Sequence, residues 1–312
     1  MNSFKEDILS GLRKEQKTLP SRYFYDKKGD ALFQQIMHME SYYLPGCERE
    51  IIEKQSADIA KILKEHNPHW NIVELGAGDG TKTAVFLKKL DESEVSMRYT
   101  ALDISPNILK ENKANVTAAI PQLEVESVAG NYFETCDEVL KKQSHNLILF
   151  LGSTIGNYNK ERANEFLQWL YKGMKKNDLI LIAFDLKKHP KTILNAYNDK
   201  EGITKAFNLN LLTRINRELN AGFDVNAFDH YPYYDPLSGN CLSFLVSLKK
   251  QSVTIGNENI SFYKNEVIHT EISKKYHLDD IGQLSRENSF EPVKHFIDSK
   301  RYYSLSLLRR NG

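Results

Sequence analysis

Residues 71–81 read Asn71-Ile-Val-Glu-Leu-Gly-Ala-Gly-Asp-Gly-Thr81. An apolar lead-in, an acid at 74 and glycines at 76, 78 and 80 spell a buried strand, a tight turn and the start of a helix. Without Cβ atoms, the turn lets backbone come close to a ligand. The same outline serves several nucleotide-like cofactors, so the stretch announces a ligand at a strand–helix junction and leaves its identity open.

Outward from this turn the chain alternates. Helical spacing over 46–65 precedes it and Lys82–Leu90 follows it. Further strands are expected at Arg98–Ile104, Leu123–Val128, Asn146–Leu151 and Asp178–Asp185, with Asn146–Leu151 almost wholly apolar and so buried on both faces. Ser105-Pro106 reads as a cap and first-turn proline, and Ala163–Met174 as a helix. This rhythm gives a parallel α/β sheet with right-handed crossovers. After Asp185 it changes: helices at 192–197 and 204–219, a turn-rich aromatic stretch at 223–236, then an antiparallel meander from Cys241 to Tyr263. The end returns to the sheet, with a helix at Leu278–Glu287 and strands near Pro292–Phe296 and Tyr302–Leu308, the usual source of an antiparallel edge. The expected division is a sheet domain at 47–187 plus 276–312, interrupted by a mixed α+β unit at 188–275 that also takes in the aromatic opening, 1–46.

Bulk properties exclude more than they assign. Of 312 residues, 42 are Lys or Arg and 41 Asp or Glu, so no basic excess argues for nucleic acid or an anionic membrane. No apolar run approaches the roughly 20 residues of a membrane span, and the N-terminus lacks a basic-then-apolar signal. Three scattered cysteines (Cys47, Cys136, Cys241) disfavour a disulfide framework. A cytoplasmic monomer acting on a small molecule is the expectation.

Spacing narrows the cofactor. Dinucleotide sites use G-x-G-x-x-G and set a pyrophosphate on the helix N-terminus. Here the glycines run G-x-G-x-G, and Glu74 stands two residues before the first of them. A carboxylate repels a pyrophosphate and suits a cation. S-adenosylmethionine carries a sulfonium and an ammonium and no phosphate. Asp103, ending the second strand, offers two acceptors for two vicinal ribose hydroxyls. Asn131 and Tyr132, after the third strand, are expected at the adenine edge and ring. Gly76, Gly78 and Lys82 complete the expected cofactor set.

The chain also resembles the histidine-specific S-adenosylmethionine-dependent methyltransferases, which make hercynine (trimethylated histidine) on the way to ergothioneine. The matching stretches are Leu19-Pro-Ser-Arg-Tyr-Phe-Tyr-Asp26 through Ser41-Tyr-Tyr43, Val73-Glu-Leu-Gly-Ala-Gly78, Phe150-Leu-Gly-Ser-Thr-Ile-Gly-Asn157, Ala196-Tyr-Asn-Asp199 through Asn216-Arg-Glu-Leu-Asn220, and Thr270-Glu-Ile-Ser273. They keep the family's order over nearly the whole length. The resemblance implies a Rossmann-like class I methyltransferase sheet with an inserted substrate domain. It implies that Asn157 and Tyr197 hold the amino acid's ammonium and carboxylate, and that Glu271 and Ser273 read its imidazole. Tyr25, Phe33 and Tyr42 then line the pocket, with Asn157 and Tyr25 the expected catalytic pair. Ser243 stands where the family has a methionine, which opens a second reading: an N-methyltransferase of another amino acid or an aromatic amine.

The residue types suit methyl transfer. An amine lone pair displaces the sulfonium methyl directly, with no covalent enzyme intermediate and no metal, so positioning dominates. The amine must be neutral when it attacks. Tyrosine hydroxyls and an asparagine carbonyl orient it without a buried carboxylate that would keep it charged. Glu271 and Ser273, two apart on a strand, face the same way. A non-catalytic binding module is the alternative of another class, and a dinucleotide oxidoreductase a distant one. His66, His69, His230 and His269 are read as structural or surface residues. Ser153 lacks the G-x-S-x-G nucleophile elbow.

Overall fold

The computed structural model describes residues 3–142 and 145–312; Met1 and Asn2, which open the stretch read for a signal, lie outside them. The N-terminal segment forms α1 (Phe4–Leu12) and α2 (Lys27–Met37). Next come α3 (Leu44–His66), β1 (His69–Leu75), α4 (Thr81–Glu92), β2 (Ser96–Asp103), α5 (Pro106–Ala119), β3 (Val125–Ala129), α6 (Tyr132–Lys142), β4 (Asn146–Phe150), α7 (Lys160–Gly173) and β5 (Leu179–Asp185). The chain continues through α8 (Pro190–Tyr197), α9 (Ile203–Leu219), β6 (Phe228–Tyr234), β7 (Asn240–Ser247), β8 (Gln251–Ile255), β9 (Glu258–Phe262) and β10 (Val267–Lys274). It closes with α10 (Leu278–Glu287), β11 (Phe290–Ile297) and β12 (Tyr303–Arg310). Two compact units result: Met1–Tyr43 with Lys188–Lys274, and Leu44–Lys187 with Lys275–Gly312.

In the second of these the seven strands run β11-β12-β5-β4-β1-β2-β3. The pairs among β1 to β5 are parallel, and β12 lies antiparallel between β5 and β11. Every residue of β4 and β5 is buried, as a strand covered on both faces must be. Strand order reverses between β1 and β4, and the carboxyl ends of those strands are where an open α/β sheet receives ligands. Ser105 caps α5, its hydroxyl accepting from the Ile108 amide at 3.4 Å, with Pro106 in the first turn. This is a Rossmann-like α/β sheet with an antiparallel edge, as the sequence implied.

Where the chain leaves the sheet and where it comes back, two buried charges meet. Lys275 Nζ lies 2.8 Å from Asp185 Oδ2 and neither side chain has any exposed surface. Around them the Tyr276 amide donates to the Asp185 carbonyl and Leu186 bridges Tyr276.

The other unit has a three-stranded sheet, β10-β7-β6, a separate hairpin, β8-β9, and α9 packed on α2, β6 and β7. Two expectations need correction. Tyr231-Pro-Tyr-Tyr234 is part of strand β6 rather than a turn; β6 is an edge strand, where a proline costs no ladder bond on its open side. The strands from Cys241 to Tyr263 are not one meander, because β8 and β9 pair only with each other and β10 returns to β7. The sequence reading also passed over α6.

Replacing Lys275 with Met leaves the Asp185 carboxylate buried without this cation. The expected loss of unfolding free energy is about 3–5 kcal/mol, and Asp185→Asn in the same chain should recover most of it. Denaturant unfolding of both variants decides this; equal losses would contradict the pairing.

Candidate active site

The glycine turn follows β1 as its spacing requires. Gly76, Gly78 and Gly80 have φ of +71, +56 and +72°, left-handed values that side chains disfavour. A Cβ built on Gly76 or Gly78 would meet no atom within 4 Å, so space lies open before the backbone at both. At Gly80 the same Cβ would come within 2.7 Å of Asn112. That asparagine, fully buried on α5, donates to the Gly78 carbonyl at 3.1 Å and supports the turn from behind. A polar residue in the buried stripe Leu109, Asn112, Val116 is the sequence signal that could have found it.

Asp103 ends β2 beside the turn. Its Oδ2 accepts from the Gly78 amide at 3.1 Å and its Oδ1 from the Ser105 amide at 3.0 Å. One bond per oxygen leaves further acceptor capacity on a carboxylate that is only half-buried. Gly130 donates its amide to the Asp103 carbonyl, which brings Asn131 to the end of the adjacent strand. Asn131 Oδ1 accepts from the Phe133 amide at 3.1 Å, at the start of α6. Tyr132 is held among Phe133, Phe150 and Trp169, and its hydroxyl meets that of Tyr158 at 2.9 Å.

Glu74 departs from expectation. It does not present a carboxylate to a cationic ligand: it is 3% exposed, and accepts from Tyr99 Oη at 2.6 Å and Thr83 Oγ1 at 2.8 Å. Burial pushes its pKa up to about 7, against the two hydroxyl donors and the Lys82 charge, which pull it down. Its place is beneath the turn, joining β1, β2 and α4. Lys82 also has a protein partner: its Nζ lies 2.5 Å from Oε2 of Glu48, a residue on α3 that is 2% exposed. The other Glu48 oxygen accepts from the Gly152 amide at 2.8 Å and Tyr303 Oη at 3.2 Å. Glu48 thus ties α3, α4, β12 and the loop after β4 together, and no local pattern in the sequence marked it.

That loop carries Asn157, exposed at the end of a short 3-10 turn, Thr154–Asn157. Ser153 is no nucleophile: it is 6% exposed and its Oγ accepts from the Asp185 amide at 3.0 Å.

The other unit gathers the remaining candidates. Glu271 lies opposite Ser243 across β10 and β7, and Ser273 opposite Cys241, so all four share one face. Tyr197 Oη donates to Ser273 Oγ at 2.9 Å, and the Tyr197 ring meets that of Tyr42 at 6.3 Å. Tyr25 packs edge-on to Phe33 at 5.5 Å and to Phe207 at 5.7 Å, the latter an aromatic residue the sequence reading missed. Tyr25 keeps much of its ring exposed, while desolvation at its hydroxyl, then the charges of Glu271 and Asp30, raise its pKa. Other residues of the matching stretches hold the fold. Asp26 caps α2 and accepts from Asn210 and Arg217, Asp199 accepts from the first amides of α9, and Asn216 clasps the Phe223 backbone.

A family model described as histidine-specific methyltransferase, SAM-dependent, matches residues 4–310. The chain belongs to this family. It is 31% identical over 307 residues to the histidine N-alpha-methyltransferase of Mycobacterium tuberculosis, covering 98% of this chain and 94% of that one. The ergothioneine biosynthesis protein 1 of Schizosaccharomyces pombe is 26% identical over 98% of this chain and 40% of its own length. The L-tryptophan methyltransferase of Psilocybe serbica is 28% identical, covering 98% of this chain and 92% of that one. Among solved structures, the apo S-adenosylmethionine-dependent methyltransferase SibL aligns with a TM-score of 0.48 and 13% identity over 100% of this chain and 70% of that one. The protein is an S-adenosylmethionine-dependent N-methyltransferase. The open space before Gly76 and Gly78, with the Asp103 carboxylate beside it, fits that cofactor. Among the described residues no group of three or more His, Cys, Asp or Glu is arranged for a metal, and no helix is long and apolar enough to cross a membrane.

Two outcomes follow. Gly78→Ala forces a side chain into a left-handed position and into the open space. Stability should fall by about 1 kcal/mol, whereas calorimetric affinity for S-adenosylmethionine should fall far more steeply. Glu74 titrates near 7 folded against 4.5 when unperturbed. Its contribution to stability is therefore full below about pH 4.5 and is lost as pH rises through about 7. The loss is on the order of 3 kcal/mol, so Glu74→Gln should gain on the parent chain between mildly acidic and mildly alkaline buffer. A constant difference in denaturant stability would contradict the assignment.

Proposed function

We propose that the protein methylates the α-amino group of L-histidine, carrying it to the trimethylated product hercynine. The carrying observation is the shared face of Glu271, Ser273 and Ser243, with the Tyr197 hydroxyl bonded to Ser273. A carboxylate and a hydroxyl match the two imidazole nitrogens, and a site built to bond a ring N–H rejects rings that lack one. The histidine-specific family and the Mycobacterium tuberculosis histidine N-alpha-methyltransferase support the same substrate.

The division of labour follows the two units. The sheet unit holds the cofactor through Gly76, Gly78, Lys82, Asp103, Asn131 and Tyr132, and the other binds the amino acid. When bound, S-adenosylmethionine supplies an electrophilic methyl on a sulfonium. In the amino-acid unit Tyr25, a phenol kept protonated by its surroundings, orients the amine, Tyr197 holds the ammonium and carboxylate ends, and Phe33 and Tyr42 wall the pocket. On the sheet unit, Asn157 is the carbonyl acceptor that the family resemblance implies. Neither catalytic group is a strong base, so the amine proton leaves to water before each attack. Loss of the proton is favoured because no carboxylate pairs with the amine. The protein works as a monomer in the cytoplasm, where Cys47, Cys136 and Cys241, all buried and unbridged, remain thiols.

A second reading has its own support. Ser243, 2% exposed and directly opposite Glu271, stands where the family has methionine, and one relative is an L-tryptophan methyltransferase. Mass analysis of products from a panel of amino acids and aromatic amines separates the two. Three successive methyl additions to histidine are expected; methylation of tryptophan or tyrosine alone would favour the second reading. Glu271→Ala should raise the KM for histidine about ten-fold or more and leave S-adenosylmethionine binding unchanged. Equal loss of both would remove Glu271 from the substrate site.

A further inference from the structure

On β7 the buried residues are Cys241, Ser243, Leu245 and Ser247, one face in strict alternation. Opposite them β10 begins in register, with Ile268 against Leu245 and His269 against Phe244. Unbroken alternation would then put Thr270 and Ile272 on the face of Leu245, and turn Glu271 and Ser273 to the opposite face, that of Phe244. The register shifts between His269 and Glu271 instead, so Glu271 lies against Ser243 and Ser273 against Cys241. Thr270 is the extra residue of a β-bulge, and a one-residue slip moves every later side chain to the other face.

The bulge is held on several sides. Thr270, 3% exposed, directs its Oγ1 to Asn208 Oδ1 and to the Ser243 carbonyl, each at 3.0 Å. Asn208 is fully buried on α9, with its amide nitrogen donating to the Thr204 carbonyl at 3.1 Å. The His269 ring nitrogen Nε2 lies 2.9 Å from the Glu271 carbonyl, spanning the bulge. On the outer edge the His269 amide donates to the Lys17 carbonyl, and the Leu19 amide donates to the His269 carbonyl.

We infer that Thr270 and Asn208 are positioning residues for substrate choice: by pinning the bulge they turn Glu271 and Ser273 to the face of Ser243 and within reach of Tyr197. The inference rests on the proposed amino-acid site. A buried hydroxyl bonded to a buried amide carbonyl stores the geometry where no exchange with water relaxes it. Neither residue meets the substrate.

Thr270→Val keeps the shape and removes the donor. The expected result is a KM for histidine raised about ten-fold or more, with kcat and S-adenosylmethionine affinity nearly unchanged and Thr270→Ser restoring the parent KM. Asn208→Ala should act in the same direction and serves if the valine variant fails to fold. An unchanged KM in both variants, a parallel loss of cofactor affinity, or no rescue by serine overturns the inference. Histidine turnover by the unmodified enzyme is measured alongside. If it is absent and another amino acid is methylated, the substrate assignment fails, and the same KM ratios on that amino acid still decide the bulge. If no amino acid is methylated, both fail.

Discussion

Two charges with no exposed surface, Asp185 and Lys275, set the condition on which the molecule is assembled. The chain leaves its parallel sheet just after the first and returns at the second. Either charge buried alone would cost several kcal/mol, so the return is fixed at a register that brings both together. From that point the closing strands follow: Asp185 lies opposite Tyr303 in the pairing of β5 with β12. A long excursion can therefore be inserted without loosening the sheet that it interrupts.

Three further acids surround the carboxyl ends of the strands, and their partners decide what each can do. Glu48 has a cation, an amide and a phenol around it. Glu74 is bonded by two hydroxyls, and burial lifts it to about 7 despite them and the charge of Lys82. Asp103 stays half-buried, with one amide on each oxygen. The first two serve the framework and the third remains open to a ligand, because solvation is retained only where the strand ends.

In the other unit, too, several motif residues are spent as support. Asp26, Asp199 and Asn216 spend their acceptors on helix ends and loops. Thr270 and Asn208 are buried and bonded to each other. Glu271, half-buried, and Ser243 stand opposite each other across β10 and β7. A motif residue is thus as often a brace as a contact, and only hydrogen-bond partners distinguish the two.

The sequence by itself determined the parallel sheet, the succession of strands and capped helices along the chain, the interruption after Asp185 and the glycine turn. These are local properties: hydrophobic period, chain-breaking residues and backbone angles that only glycine adopts readily. It also named Asp103 from its place at the end of the second strand, and Tyr197, Glu271 and Ser273 as candidates through family resemblance. The tertiary structure alone decided that Glu74 faces inward to Tyr99 and Thr83, that Lys82 is met by Glu48 from a helix 34 positions earlier, and that Asn112 backs the turn. It also decided that Pro232 sits in an edge strand and that a bulge turns Glu271 inward. Each of these depends on a partner distant in sequence or on a register shift of one residue, and neither leaves a periodic trace in the chain.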